Sequence, residues 1–194
     1  GRITDEGAFW DVYYEHANYF TGDSLVQSFE RAGFAVIETQ RKFYGQYLGL
    51  YARPGKGAGN VAAYQEFATE FEADTDWQRL ELEREHWQAR LDKSQKPVVI
   101  WGAGSKGVSF LSATNFRGKV VAAVDINPHR QGKFMPGSGQ PIIAPSELRQ
   151  LQPSKVIVMN PAYVTEISSE LERLGLSPDI ESLGVVDRAD NRSL

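Results

Sequence analysis

The stretch Lys96-Pro97-Val98-Val99-Ile100-Trp101-Gly102-Ala103-Gly104-Ser105-Lys106-Gly107 decides the fold class. Its run from Val98 to Trp101 is apolar at every position, the pattern of a strand buried on both faces. Three glycines follow in GxGxxG spacing, and then Val108, Phe110 and Leu111 begin a helical pattern. Strand, glycine turn and helix in that order form the context that gives the motif meaning. The first glycine allows the tight turn, the second lets backbone approach a phosphate, and the third lets helix and strand pack closely. Free N–H groups at the helix start suit an anion. Asp125, about eighteen residues beyond Gly107, closes a second apolar run where a ribose-binding acid belongs in this motif. Gly102, Gly104, Lys106, Gly107 and Asp125 are therefore candidate nucleotide-binding residues. The alternative is that the glycines only close a β-α turn in a Rossmann-like domain without a ligand.

The chain of 194 residues is long enough for one full domain plus a part, and its formal charge of −4 supplies no basic field for nucleic acid or anionic membrane. No run approaches the length of a membrane span, and no signal peptide opens the chain. With no cysteines, disulfides and thiolate metal sites are excluded, which is compatible with a reducing cytoplasm. No metal site is expected. The opening Gly1-Arg2 carries no initiator Met, so the expectation is a piece of a longer protein.

Residues 1–20 are rich in aromatics (Phe9, Trp10, Tyr13, Tyr14, Tyr19, Phe20) and surround Glu15-His16. Lacking clean alternation, they predict a loop or an irregular helix. A phenol, a carboxylate and an imidazole within four residues can place acid and base groups in a cleft, or the segment can simply pack under a neighbouring domain. Thr21 or Asp23 caps a helix ending at Gly33. Residues 34–43 and 46–53 predict an antiparallel hairpin. Pro54 to Gly59 has linker composition. Residues 62–91 predict one or two charged helices packing through Tyr64, Phe67, Phe71, Leu80, Trp87 and Leu91, with a break at Asp74-Thr75-Asp76 and a cap at Asp76. His86, among charges, reads as a solvated helix residue.

From Pro97 onward strands and helices alternate. A helix from Ser105 to Asn115 leads to a strand at 119–125, a long Pro/Gly-rich loop, and the short apolar piece Ile142-Ile143. A short helix to Leu151 precedes a strand at 155–159. Asn160-Pro161 reads as an N-cap and first position of a helix running to Leu174 and stopped by Gly175. An edge strand at 179–183 and a polar tail from Asp187 finish the chain. Right-handed crossovers then give an α/β fold, a parallel sheet with helices on both faces.

The strings VVIWGAGSKGVSFL, VDINPHRQGKFMPGSGQPI and VIVMNPAYVTEI resemble, in order, the C-terminal domain of sugar C-methyltransferases, which methylate a carbon of nucleotide-linked deoxysugars with S-adenosylmethionine. FWDVYYEHANYFTGDSLVQSFERAGF and the hairpin after it resemble the end of that family's class I methyltransferase domain. The resemblance implies four parts: residues 1–53 as a helix and hairpin remnant of the methyltransferase domain, 54–95 as linker and helices, 96–186 as the Rossmann-like domain, and 187–194 as a tail. It also implies a zinc domain and an S-adenosylmethionine pocket in a preceding part, and a fragment inactive by itself.

The string YYEH resembles the family's active-site loop, so Tyr13, Glu15 and His16 inherit candidate roles. In carbon methylation beside a ketone, His16 would be the base and Tyr13 a donor to the enolate oxygen. Glu15 would orient the imidazole or a sugar hydroxyl. Neighbours on a strand point apart, so a turn is needed for Glu15 and His16 to serve one site. The ligand of the 102–107 loop is left open between a nucleotide and none. In the second case the domain is a structural module closing over the catalytic part, with Asn127, His129 and Gln131 used in loop packing. Expected partners are a nucleotide-sugar or similar small molecule and, through the exposed hairpin, a second copy of the chain. The function class competing with the methyltransferase is a non-catalytic nucleotide-binding or structural module.

Overall fold

A computed structural model describes residues 2–43, 46–55, 73–94, 97–116 and 118–184. The linker glycines beyond Gly55, the packing residues Tyr64, Phe67 and Phe71, and the polar tail fall outside them. The chain begins with helix α1 (Arg2–Asp5) and a single 3-10 turn at Phe9–Asp11. Helix α2 (Gly22–Arg31) starts at Thr21, whose hydroxyl accepts from Ser24 N while Ser24 Oγ accepts from Thr21 N. This reciprocal cap satisfies two of the free donors at a helix start. Gly33, at φ +88°, ends it.

Strands β1 (Phe34–Lys42) and β2 (Tyr47–Pro54) form an antiparallel two-stranded sheet by themselves. The hairpin leaves Ile37, Phe43, Tyr47 and Tyr51 exposed. Helix α3 runs without interruption from Ala73 to Asp92. The break expected at residues 74–76 does not appear, since all three are helical, and further along the helix Leu80, Trp87 and Leu91 share one buried stripe.

Strand β3 (Val98–Trp101) leads through the glycine turn to helix α4 (Ser105–Ala113), strand β4 (Val120–Val124) and strand β5 (Ile142–Ile143). Helix α5 (Leu148–Leu151), strand β6 (Lys155–Val158), helix α6 (Val164–Arg173) and strand β7 (Asp179–Ser182) follow. The helix expected from Asn160-Pro161 starts as a 3-10 turn, Pro161–Tyr163, and becomes α-helical at Val164. Asn160 is its N-cap, accepting from Ala162 N at 3.1 Å. Gly175 closes α6 at φ +74°, with Leu176 N bonding Leu171 O and Gly175 N bonding Glu172 O, which ties down two carbonyls left free by the last turn.

The five strands are all parallel, in the order β5-β4-β3-β6-β7. Because β3 is central, its alternate residues feed two cores. Val98 and Ile100 join Phe110, Trp87 and Leu91 beneath α3 and α4, whereas Val99 and Trp101 join Leu148, Ile167 and Leu171 beneath α5 and α6. The order reverses between β3 and β6, opening a crevice at their C-terminal ends. The first residues of the chain belong to the first of these cores. Phe9 and Trp10 are 7% and 1% exposed, and Phe9 stacks on Phe110 with ring centres 5.9 Å apart. Of the aromatics expected in a loop or an irregular helix, Phe9 and Trp10 lie in the short 3-10 turn, and Tyr13, Tyr14, Tyr19 and Phe20 lie in the loop after it.

At Gly107 an added Cβ would lie 2.4 Å from the carbonyl oxygen of Gly102, against backbone that cannot move aside. At Gly104 the nearest atom would be Arg130 Nη1 at 3.7 Å, an ordinary contact, and φ is −87°. Gly107→Ala should therefore destabilise the chain by about 1–3 kcal/mol while Gly104→Ala changes stability by less than about 0.5 kcal/mol. Urea unfolding of the two variants checks the contrast, and equal effects would contradict the packing account.

Candidate functional site

Two groups of residues singled out in the sequence meet α4: one follows the segment that Lys106 and Ser109 hold, and the other is the glycine turn at its start. The first is the loop after the 3-10 turn. His16 N donates to Tyr13 O at 3.1 Å, closing a turn with Tyr14 and Glu15 at its corners. The turn carries the imidazole back over the phenol, with ring centres 4.1 Å apart. Tyr19 completes the group: its ring lies 5.7 Å from His16, and its hydroxyl accepts from Tyr13 N and donates to Tyr13 O. The structure therefore brings Tyr13 and His16 together. Glu15 stands exposed at the corner of the turn. Burial, and then the negative charge of Asp11, push the Tyr13 phenol above its ordinary pKa, with smaller contributions from Tyr47, Tyr19 and Glu15. The phenol stays protonated and is a hydrogen-bond donor at neutral pH.

The second group is the glycine turn. Gly102 adopts φ +122°, which the turn requires. No side chain caps the start of α4. Asp125 is 7% exposed and already has three partners: Oδ2 accepts from Ala103 N at 3.1 Å and from Arg130 Nη1 at 2.9 Å, and Oδ1 accepts from Asn127 N at 2.8 Å. Burial alone would raise its pKa. The bonds from Asn127, Arg130 and Ala103 outweigh it and hold the carboxyl below the usual range. Gln131 Nε2 donates to the Asp125 carbonyl, and His129 N donates to Asn127 Oδ1, so this loop is knitted onto the end of β4. Lys106 turns towards the other side. Its ammonium lies 3.3 Å from Asp11 Oδ1 and donates to Gln46 Oε1 at 3.1 Å.

Gln46 carries no motif or periodicity that marks it in the sequence. It sits in the turn of the hairpin, and its Nε2 donates to Asn160 Oδ1 at 3.2 Å, so one amide joins the loop after β3 to the loop after β6. Asp11 and Arg130 likewise carry no sequence signal of their pairing, and Tyr19 is marked only as one of the aromatics around Glu15-His16. Their partners lie several residues to a whole domain away, and short-range patterning carries no signal for such pairs. His86 pairs at 3.5 Å with Glu83 on its own helix, as a solvated helix residue does. Among the described residues no group of three or more His, Cys, Asp or Glu could hold a metal ion, and no helix is long and apolar enough to cross a membrane.

Residues 55–176 match a family model described as the C-methyltransferase C-terminal domain. The C-methyltransferase NovU of Streptomyces niveus is similar at 24% identity over 187 residues, covering 86% of this chain and 43% of NovU. The chain thus spans less than half the length of that curated relative. Among solved structures, the Rex-family repressor RSP and its complex with β-NADH align at a TM-score of 0.34, with 15% and 14% identity, over 64% of this chain and 67% of the repressor chain.

The three bonds to Asp125 generate a prediction with a definite sign. Its folded pKa is lowered, so its stabilising contribution is fully present above the ordinary carboxylate value of about 4 and is lost as pH falls through the folded value. Asp125→Asn replaces one of the two accepting oxygens with an NH2 donor, so it cannot serve Asn127 N on one side and the Ala103–Arg130 pair on the other, and it should cost about 1–3 kcal/mol near neutral pH. That gap should shrink by about pH 3 in urea unfolding, and a gap that persists undiminished in acid would contradict the assignment.

Proposed function

The chain belongs to the C-methyltransferase C-terminal domain family, and from that premise we propose that it is the C-terminal part of an enzyme that methylates a carbon beside a ketone in a nucleotide-linked sugar. The observation that carries this reading is the packed Tyr13–His16 pair, held by a turn on a segment whose other end is buried. A base and a protonated phenol side by side are what enolate chemistry requires. His16 takes the proton from the carbon next to the carbonyl, and Tyr13 donates to the oxygen as charge develops there. The phenol's raised pKa favours this donor role over a role as base. Glu15, exposed at the corner of the turn, would orient the imidazole or a sugar hydroxyl.

The methyl group comes from a donor, S-adenosylmethionine on this reading. The described residues do not fit that group: the acid of the glycine turn, Asp125, already holds three partners, and Gln46 spans the crevice between Lys106 and Asn160. The donor pocket is assigned to the remainder of the parent enzyme, and the chain alone is inactive. The bare aromatic face of the hairpin supports this division, since Phe43, Tyr47 and Tyr51 are each more than half exposed and need a sheet to cover them.

Carried in the full-length methyltransferase, His16→Ala and His16→Gln should each lower kcat by roughly 10²–10⁴-fold, the usual range for losing a positioned general base. Tyr13→Phe should lower kcat with little change in KM, because its hydrogen bond strengthens as the enolate forms. Steady-state methyl transfer measures both. Near-normal turnover in the two His16 variants would remove the imidazole from the mechanism.

A further inference from the structure

The face of α4 that follows the glycine turn carries Lys106 and Ser109 towards the same short segment. Lys106 pairs with Asp11, whose side chain is only 8% exposed, and the lysine side chain is itself 21% exposed. Charges this well shielded from water interact more strongly than a surface pair. Ser109 Oγ donates to the carbonyl of Val12 at 2.9 Å, with the Phe9 carbonyl also in reach at 3.4 Å. The two anchors therefore fall on Asp11 and Val12, immediately before Tyr13. One peptide unit of fixed geometry, about 3.8 Å from Cα to Cα, separates the second anchor from the residue that carries the phenol.

The hairpin is tied to the same point. Gln46 accepts from Lys106 and donates to Asn160, which places the turn of the hairpin at the crevice where the strand order reverses. The neighbouring Tyr47 lies close enough to Tyr13 to help raise its pKa. In folds of this class that crevice is the usual place for a ligand. Here its lysine and its asparagine hold parts of the same chain.

We propose that Lys106 and Ser109 are positioning residues for the Tyr13–His16 loop, and that the crevice between β3 and β6 is the socket in which that loop and the hairpin are seated. This rests on the reading of Tyr13 and His16 as the reacting pair, and it gives the Rossmann-like domain a mechanical part in the reaction. Lys106 acts through Asp11 and Gln46, and Ser109 acts through the Val12 carbonyl. Neither touches the substrate.

The test uses Lys106→Met, which keeps the stem and removes the charge, with Lys106→Arg as the conservative rescue and Ser109→Ala as the second anchor. In the present chain, amide hydrogen exchange reads the segment 11–16 directly. Lys106→Met should speed exchange there by about tenfold or more while the strands of the central sheet keep their protection. In the full-length enzyme it should lower kcat by about 10²-fold, the scale of a misplacement near 1 Å, with KM for both substrates nearly unchanged. Lys106→Arg should restore most of the loss, and Ser109→Ala should give a smaller effect in the same direction.

Unchanged exchange at 11–16 in Lys106→Met would overturn the proposal. So would calorimetric binding of NAD, dTDP or S-adenosylmethionine to the chain that Lys106→Met abolishes, because the lysine would then be a ligand contact. The two readings fail separately. Faster exchange in Lys106→Met together with normal turnover in His16→Gln supports the anchors and rejects the imidazole as base.

Discussion

The Phe110 ring is the contact on which the remaining arrangement depends. It is fully buried on α4, stacks on Phe9, meets Trp87 edge-on at 5.4 Å between centres, and lies 5.0 Å from Phe116. Three parts of the chain far apart in sequence meet on one side chain: the opening turn, the long helix α3 and the loop before β4. Each aromatic pair adds about 0.5–1.5 kcal/mol beyond the apolar area it buries, so the cluster is a substantial share of a domain's net stability. Without it the opening turn would lose its aromatic packing and be held mainly by the polar anchors at Asp11 and Val12.

That cluster sets the position of α4, and the glycine turn lets α4 come so close. Gly107 faces the Gly102 carbonyl at a separation no Cβ could share. The close approach lays α4 across the central strand with its far face against the opening segment, and that face carries Lys106 and Ser109. Ordinary parallel-sheet packing therefore delivers an ammonium and a hydroxyl to the backbone preceding Tyr13. The chemistry proposed for the loop thus depends on a packing constraint at the opposite side of the helix.

The periodicities made the parallel sheet, the hairpin and most helix ends legible in the sequence. Val98 to Trp101 has no polar face and can only be a central strand, while Thr21, Asn160, Gly33 and Gly175 punctuate helices through local chemistry. The pairing of Tyr13 with His16 was legible only as a requirement for a turn, which the bond from His16 N to Tyr13 O meets. What stayed hidden was long-range. Gln46 and Asn160 are 114 residues apart, and nothing in the composition of either neighbourhood points to the other. Asp125 was legible as an acid at the end of a strand but not as one with its oxygens engaged, since Arg130 has no periodic relation to it. Local breaker signals are weak priors, and residues 74–76 are helical in α3.

The electrostatics of the glycine turn are set in part by carboxylates of the chain itself. A helix start carries partial positive charge and unbonded N–H groups, and an anionic ligand is the usual complement. Here the chain brings its own carboxylates to both sides. Asp125 accepts the Ala103 amide just before the first turn of α4, and Asp11 lies against Lys106 within that turn. Arg130 then balances Asp125, with its guanidinium 3.7 Å from where a Cβ on Gly104 would sit. Of the three glycines, the first is required by its φ and the third by lack of room. The second is required by neither, and a side chain larger than methyl there would crowd the Arg130–Asp125 pair. The motif therefore records backbone geometry at two positions and space beside an arginine at the third, and each of those demands is met by the protein's own groups.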